Sequence, residues 1–265
     1  MMTDFHIHTA FCDGKNSPEE IVQAALIKGI DEIGFSGHSY VEFDPDYSMS
    51  PEQTARYFSE INMLKEEYSN KIKILCGIEQ DYYSCKPVYN YDYIIGSVHY
   101  LKCGNEYVSV DLDKQTLLIA TQKYFGGDIY SLIEEYYALV GGVVEKTKCN
   151  IIGHFDLVEK FNEDKKLFDC KHKRYIEAYK NAADKLLKSN AIFEINTGAV
   201  SRGYRTKPYP NTEILKYICE AGGRVILSSD SHSADTLCFG FDAAEQVAES
   251  CGFKSIEKHI QFNIT

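Results

Sequence analysis

The chain has no pair of cysteines spaced as CxxC, although it contains nine of them: Cys12, Cys76, Cys85, Cys103, Cys149, Cys170, Cys219, Cys238 and Cys251. An odd number without metal-type spacing, in a chain long enough to form a core without cross-links, argues against a disulfide scaffold and fits a reducing compartment. Long apolar runs are missing as well. None approaches the roughly 18 residues of a membrane-spanning helix, and no basic stretch followed by an apolar one marks the N-terminus, so neither membrane insertion nor export is expected. Cationic excess is also lacking. With 28 Lys and Arg against 39 Asp and Glu, the net charge is −11 and the pI about 5.2, the reverse of what binding to a nucleic-acid backbone by counterion release requires. A cytoplasmic protein with neither a nucleic-acid nor a membrane partner is expected. There is no low-complexity linker and no internal repeat, so the 265 residues, 44% of them hydrophobic, read as one domain over 1–265.

What is present is an alternation of short apolar runs with capped amphipathic segments, the pattern of strand and helix units around a parallel sheet. Ser17 and Glu20 form a capping box with Pro18 at the first helical position, and Gly29 ends the helix, whose apolar face is Ile21, Val22, Ala25 and Leu26. Ser50, Pro51 and Gln53 repeat the device before Ala55, Phe58, Ile61 and Leu64. Further helices are expected over Asp128 to Leu139, Lys171 to Lys188, Thr212 to Ala221 and Asp242 to Ser250. The intervening strands are TDFHIH, DEIGFSGH, IKILCGIE, YDYIIGSVH, CNIIGH, AIFEIN and RVILSSDSH, near-continuous apolar runs of the kind buried between helices. Seven such units predict an α/β chain folded as a closed or nearly closed β/α barrel. The polar, Gly-containing stretch from Lys102 to Gly127 is expected to be an insertion or a lid over the barrel mouth.

Almost every strand ends on a metal-ligand residue type: His6 and His8, His38, Glu79, His99, His154, then Asp230 and His232. In β/α barrels the C-terminal strand ends form one rim, so residues far apart in sequence converge there. A strand points residues i and i+2 to the same face, which makes the HIH at the start a plausible half-site. The joint pattern is stronger than any one member. Of the eight histidines, only His172 and His259 lie elsewhere. A single catalytic zinc takes three protein ligands and a water. These eight residues together with Asp13 are too many for one ion and suit two or three sharing ligands, as in metal-assisted hydrolysis. Imidazole and carboxylate donors without thiolate point to Zn, Mn or Fe.

HIHTAFCDG, FSGHS, GIEQD, IIGSVHY, IIGHFD, FEINTG and SSDSH, taken together and in this order, resemble the PHP (polymerase and histidinol phosphatase) superfamily, most closely its histidinol-phosphate phosphatase branch. The resemblance runs from Asp4 to about Phe241. It implies a distorted (β/α)7 barrel with three divalent metal ions. One would take His6, His8, Glu79 and Asp230, a second would share Glu79 and add His99 and His154, and a third would take Asp13, His38 and His232. Some members have histidine at the position of Asp13. The implied activity is phosphoester hydrolysis, with a metal-bridging hydroxide as nucleophile and cations neutralising the phosphoryl oxygens. On the histidinol-phosphatase branch the substrate is L-histidinol phosphate and the products are L-histidinol and phosphate, a step of histidine biosynthesis. Asp13 or His232 would then protonate the leaving alkoxide, unless a metal-bound water does. Two other readings compete: a PHP-type phosphoesterase or exonuclease acting on nucleotides or another phosphorylated metabolite, and an amidohydrolase, whose barrels also begin with HxH.

Phosphate also calls for fixed cations. Arg202 and Arg205 follow the sixth strand and Lys160 follows His154, and these are the candidate phosphate-binding residues. Glu194 and Asn196, at the end of FEIN, are candidates for orienting a ligand or contacting substrate. Glu42, Asp44 or Asp81 could supply an acidic rim for a substrate ammonium group.

Overall fold

A computed structural model describes residues 1–260 of the chain. Nine strands occur among the described residues: β1 (Thr3–Asp4), β2 (Glu32–Phe35), β3 (Lys73–Asp81), β4 (Tyr93–Ser97), β5 (Tyr100–Cys103), β6 (Glu106–Ser109), β7 (Ile151–Ile152), β8 (Ile192–Asn196) and β9 (Val225–Ser228). Seven of them form one parallel sheet in the order β1-β2-β3-β4-β7-β8-β9, with every neighbour pair parallel. The sheet curls until its first and last strands nearly meet. Ile7 bridges Ser231, His8 N donates to Ser231 O at 2.8 Å, and Ser231 N donates to His6 O at 3.0 Å. The buried carboxylate of Asp4 completes the seam by accepting from Ser229 N at 3.1 Å and Cys238 N at 3.0 Å. The expected seven-strand α/β barrel is therefore what forms. The first strand is shorter than TDFHIH, because past Asp4 regular pairing with β2 gives way to bonds between Ile7 and Ser36 and a bridge from Ile7 to Ser231, after β9.

Among the described residues the α-helices are α1 (Pro18–Lys28), α2 (Pro51–Glu67), α3 (Lys114–Tyr124), α4 (Ile129–Val140), α5 (Val143–Thr147), α6 (Lys173–Leu186), α7 (Gly198–Ser201), α8 (Thr212–Glu220) and α9 (Phe241–Ser250), with short 3-10 helices at Leu157–Glu159 and Ala234–Thr236. Both capping boxes form, Ser17 with Glu20 and Ser50 with Gln53, and Gly29 takes the left-handed conformation at φ 68° that ends α1. The buried face of α2 is Thr54, Tyr57, Ile61 and Leu64. Ala55 and Phe58 are only half-buried, so Thr54 and Tyr57 take their place in the first turns, while Ile61 and Leu64 are buried as expected. Large apolar clusters separate sheet from helices, one around Leu132, Tyr136, Phe155 and Ile214 and another around Ile21, Ile33, Tyr57 and Ile61.

The barrel interior changes character along its axis. Its lower part is filled by Phe5, Leu75, Tyr93, Ile95, Ile151, Ile192 and Ile226. Tyr93 crosses this space and donates to Phe5 O at 2.6 Å and Phe35 O at 3.1 Å. Gly77 makes room for it, since a Cβ there would lie 2.3 Å from the Tyr93 ring. The two-residue period then carries Leu75 and Gly77 on to Glu79, and Ile192 on to Glu194 and Asn196, so a polar layer sits directly above the apolar plug. The stretch over 102–127 is more ordered than its composition suggests: β5 and β6 form an antiparallel hairpin, followed by α3. Asp113 caps α3 by accepting from Thr116 N, a signal that the polar surroundings obscured.

Candidate metal centre

Glu79, at 1% exposure, is the hub of the polar layer. Its Oε2 is approached by His38 Nδ1 at 2.8 Å, His6 Nε2 at 3.3 Å and His8 Nε2 at 3.5 Å. None of these four buried atoms has a hydrogen-bond partner. Its Oε1 accepts from Ser97 Oγ at 2.6 Å and lies 3.0 Å from His154 Nε2 and 3.4 Å from His99 Nε2. Unpaired imidazole nitrogens grouped around a carboxylate oxygen in a buried layer are costly unless a cation completes them. The donor set therefore fits divalent metal ions of the Zn, Mn or Fe type.

The donors fall into three groups, each compact enough to hold an ion: His8, Asp13, His38 and His232; His6, His8 and Glu79; and His38, Glu79 and His99. Asp230 Oδ1 stands 3.3 Å from His8 Nε2 and 3.8 Å from His6 Nε2. Asp13 Oδ1 is 3.6 Å from both His8 Nδ1 and His38 Nε2, and its Oδ2 is 3.1 Å from His232 Nε2. All nine expected positions thus meet in one place. The grouping differs in detail from the one the resemblance implies, because His8 and His38 each stand between two groups and His154 approaches only Glu79 Oε1. His172 and His259 lie apart, the first capping α6 and the second 3.2 Å from Glu32.

Electrostatics follow from this crowding. Burial alone would raise Glu79, but His38, His6 and His99 hold its carboxyl well below the usual range. Asp230 is likewise held low against burial by Arg202 and His6, and Asp13 by His38 and His232. Burial opposes charge on His6 and His38, yet Glu194 and Glu79 raise the first and Glu79 and Asp13 the second well above the ordinary histidine value. His8, buried and flanked by His232 and His38, is lowered to about 3.

A further set of carboxylates backs the histidines. Glu194 Oε2 lies 2.9 Å from His6 Nδ1, while its Oε1 accepts from His154 N at 2.5 Å and Asn196 Nδ2 at 2.8 Å. Asp81 plays the same part for His99, with Oδ2 3.2 Å from Nδ1 and 3.1 Å from the backbone N. Asp81 is thus buried beneath a ligand-type histidine and is not the rim carboxylate considered above. Its signal was its spacing, two residues past Glu79 on the same strand face. Ser97, two before His99, was legible in the same way.

Above this layer opens a cleft of about 360 Å³, lined among others by Asp13, His38, His99, His232, Arg202 and Lys160. Arg202 sits at its edge, with Nη2 3.0 Å from Asp230 Oδ2 and Nη1 2.8 Å from His232 Nδ1. Lys160 also faces the cleft, tied to Asp111 O at 2.7 Å and Oδ2 at 3.1 Å. Arg205 does not join them. Its side chain is buried, donates to Glu159 O at 3.1 Å, and lines a separate cavity with Glu159 and Tyr175. The end of α7 at Ser201 and the turn through Gly203, at φ 76°, separate the two arginines. Asp44 lines the cleft and accepts from Tyr100 Oη at 2.7 Å, whereas Glu42 is exposed outside it. The hairpin contributes Tyr100 and Ser109 to one wall, with Asp111 and Leu112 just beyond it, so the 102–127 stretch borders the barrel mouth. Asp111 had no sequence signal, since only the hairpin brings it there.

Comparison with known proteins agrees with this architecture. Residues 4–198 match the family model described as PHP domain. Histidinol-phosphatase of Bacillus subtilis is 28% identical over 267 residues, covering 91% of this chain and 97% of that protein. Histidinol-phosphatase of Lactococcus lactis is 26% identical over 271 residues, covering 96% and 92%. A crystal structure of histidinol phosphate phosphatase from Lactococcus lactis, complexed with zinc, L-histidinol and phosphate, superposes with a TM-score of 0.72 at 24% identity over 96% of this chain and 95% of that one.

Proposed function

We propose that this chain, which belongs to the PHP domain family, is a metal-dependent phosphomonoesterase that hydrolyses L-histidinol phosphate to L-histidinol and phosphate. The observation that carries the proposal is the set of unpaired buried donors around Glu79 at the floor of a cleft edged by Arg202. The names of the full-length relatives supply the substrate. The whole of 1–265 is read as one phosphoesterase domain, cytoplasmic and acting on a small phosphorylated molecule. Among the described residues no helix is long and apolar enough to cross a membrane.

In this reading three divalent ions, Zn, Mn or Fe, are held by His6, His8, Asp13, His38, Glu79, His99, His154, Asp230 and His232. When bound, such ions acidify water and offset the negative charge of phosphoryl oxygens. Glu79, kept ionised by the surrounding imidazoles, would supply the central carboxylate ligand of such a centre. Glu194 and Asp81 fix the rings of His6 and His99 so that Nε2 of each faces the centre. Arg202, oriented by Asp230, offers a planar donor fork to the phosphoryl group, and Lys160 a second positive charge. Asp13, held ionised, has no proton of its own, so the Asp13–His232 pair at the more exposed side of the centre would pass the departing alcohol a proton from water held beside it. Asp44, on the cleft wall, has the sign that suits an ammonium group.

A substrate panel tests the assignment. The value of kcat/KM for L-histidinol phosphate should exceed those for p-nitrophenyl phosphate and nucleoside monophosphates by about 100-fold or more, the discrimination expected of a site with matched polar contacts. Preferential hydrolysis of nucleotides or single-stranded oligonucleotides would sink it in favour of nucleic-acid processing.

A further inference from the structure

Two hydroxyls on the walls of the cleft lack any hydrogen-bond partner although both are shielded from solvent, those of Tyr47 and Tyr209. Buried polar groups are nearly always paired, and one left without a protein partner beside a binding cleft is available to a ligand or to solvent. Tyr209 is the more rigidly placed. It is 1% exposed, and its backbone is locked to the end of β8, with Asn196 N donating to Tyr209 O at 2.8 Å and Tyr209 N to Asn196 O at 2.9 Å. The Arg205 guanidinium lies 4.6 Å from the centre of its ring. Arg205 is in turn fixed by Glu159, so the ring is braced from the side away from the cleft.

The two tyrosines stand in fields of different sign. Tyr47 packs against His38 at 4.4 Å and lies among the carboxylates Asp81, Glu79 and Asp111. Tyr209 lies within the influence of two cations, Arg205 and Arg202, as well as of Asp156 and Asp111. Burial keeps the phenol of Tyr209 protonated, so it is able to donate.

We infer that the Tyr209 hydroxyl is a substrate-contacting group that donates a hydrogen bond to a phosphoryl oxygen beside Arg202. The inference rests on the phosphomonoesterase reading. It gives Arg205 a role as the positioning residue that braces the tyrosine, in place of direct contact with phosphate.

The test uses the full metal-loaded chain and compares wild type with Tyr209→Phe, which removes only the hydroxyl. Inorganic phosphate binding is followed by calorimetry, and initial rates are measured on p-nitrophenyl phosphate and L-histidinol phosphate. The phosphate Kd should rise, and kcat/KM fall, by about 10- to 100-fold, which corresponds to about 1.5–3 kcal/mol for a hydrogen bond to a charged acceptor. Metal content and Tm should not change. Tyr91→Phe removes another buried unpartnered hydroxyl, one outside the cleft, and should leave every value at wild type. An unchanged phosphate Kd in Tyr209→Phe overturns the inference, as does a wild type that binds no phosphate. A fall in Tm with unchanged phosphate affinity also overturns it, because the hydroxyl then serves the fold, for instance through solvent to the unpartnered Oδ1 of Asp156. If wild type hydrolyses neither ester but binds phosphate more tightly than Tyr209→Phe, the esterase reading fails and the hydroxyl assignment stands.

Discussion

Glu194 holds His6 from behind, its Oε2 2.9 Å from Nδ1, while Nε2 of the same ring stands 3.3 Å from Glu79. A carboxylate on Nδ1 fixes the tautomer with the proton on that nitrogen and leaves the Nε2 lone pair facing the centre. Glu194→Gln keeps the shape but removes the charge. Metal affinity is expected to fall about 10- to 100-fold, read by competition with a chelator, with the circular dichroism spectrum unchanged. Wild-type affinity would contradict a supporting role for Glu194.

Asp13 contacts His8, His38 and His232 but none of Glu79, His99 and His154. Asp13→Ala is therefore expected to lower the bound metal by one equivalent out of three and leave the rest in place, as measured by mass spectrometry of the dialysed protein. Loss of all metal, or of none, counts against a separable site at Asp13.

Gly198 offers a way to disturb the centre without touching a donor. A Cβ at this position would lie 2.7 Å from both Cβ and Oδ2 of Asp230, so Gly198→Ala must displace that carboxylate or α7. Overpacking of this kind costs about 1–3 kcal/mol. The variant should unfold at lower temperature and lose at least about tenfold in kcat; retention of both at wild-type levels would mean that Asp230 moves freely.

The raised pKa values of His6 and His38 fix the direction of the pH dependence. In the metal-free protein their folded values lie above the ordinary 6.5, so protonation favours the folded state. That stabilisation is fully present below about pH 6.5 and is lost as pH rises through the folded values. Metal needs the neutral rings, so its stabilisation grows over the same interval. The gap in Tm between metal-loaded and metal-free protein should widen from about pH 6 to about pH 8.5. A constant gap would show that metal and protons do not compete for these rings.

Much of the centre was legible because strand ends announce themselves. Each apolar run stops at a polar residue, and barrel topology alone brings those residues to one rim. Carboxylates at i+2 spacing, such as Asp81 behind His99, were encoded by the same alternation and are found once the strand face is known. The cleft was less legible. Asp111 reaches it through a hairpin whose strands are short and partly exposed, and hairpin pairing leaves little periodic signal. Arg202 and Arg205 looked equivalent in GAVSRGYRTK. Only the short helix Gly198–Ser201 and the turn through Gly203, at φ 76°, send one toward Asp230 and the other toward Glu159. The capping boxes identified α1 and α2 correctly, and Ile61 and Leu64 of α2 are buried as expected, but in its first turns packing buries Thr54 and Tyr57 in place of Ala55 and Phe58.

The most direct measurement is phosphate release from L-histidinol phosphate by chelator-treated protein before and after Zn, Mn or Fe is restored, with Glu79→Ala beside the wild type. Release should vanish on chelation and return with at least one of the three metals in the wild type, while Glu79→Ala stays inactive although folded. Release that survives chelation, or that Glu79→Ala retains, would contradict a metal centre built around Glu79.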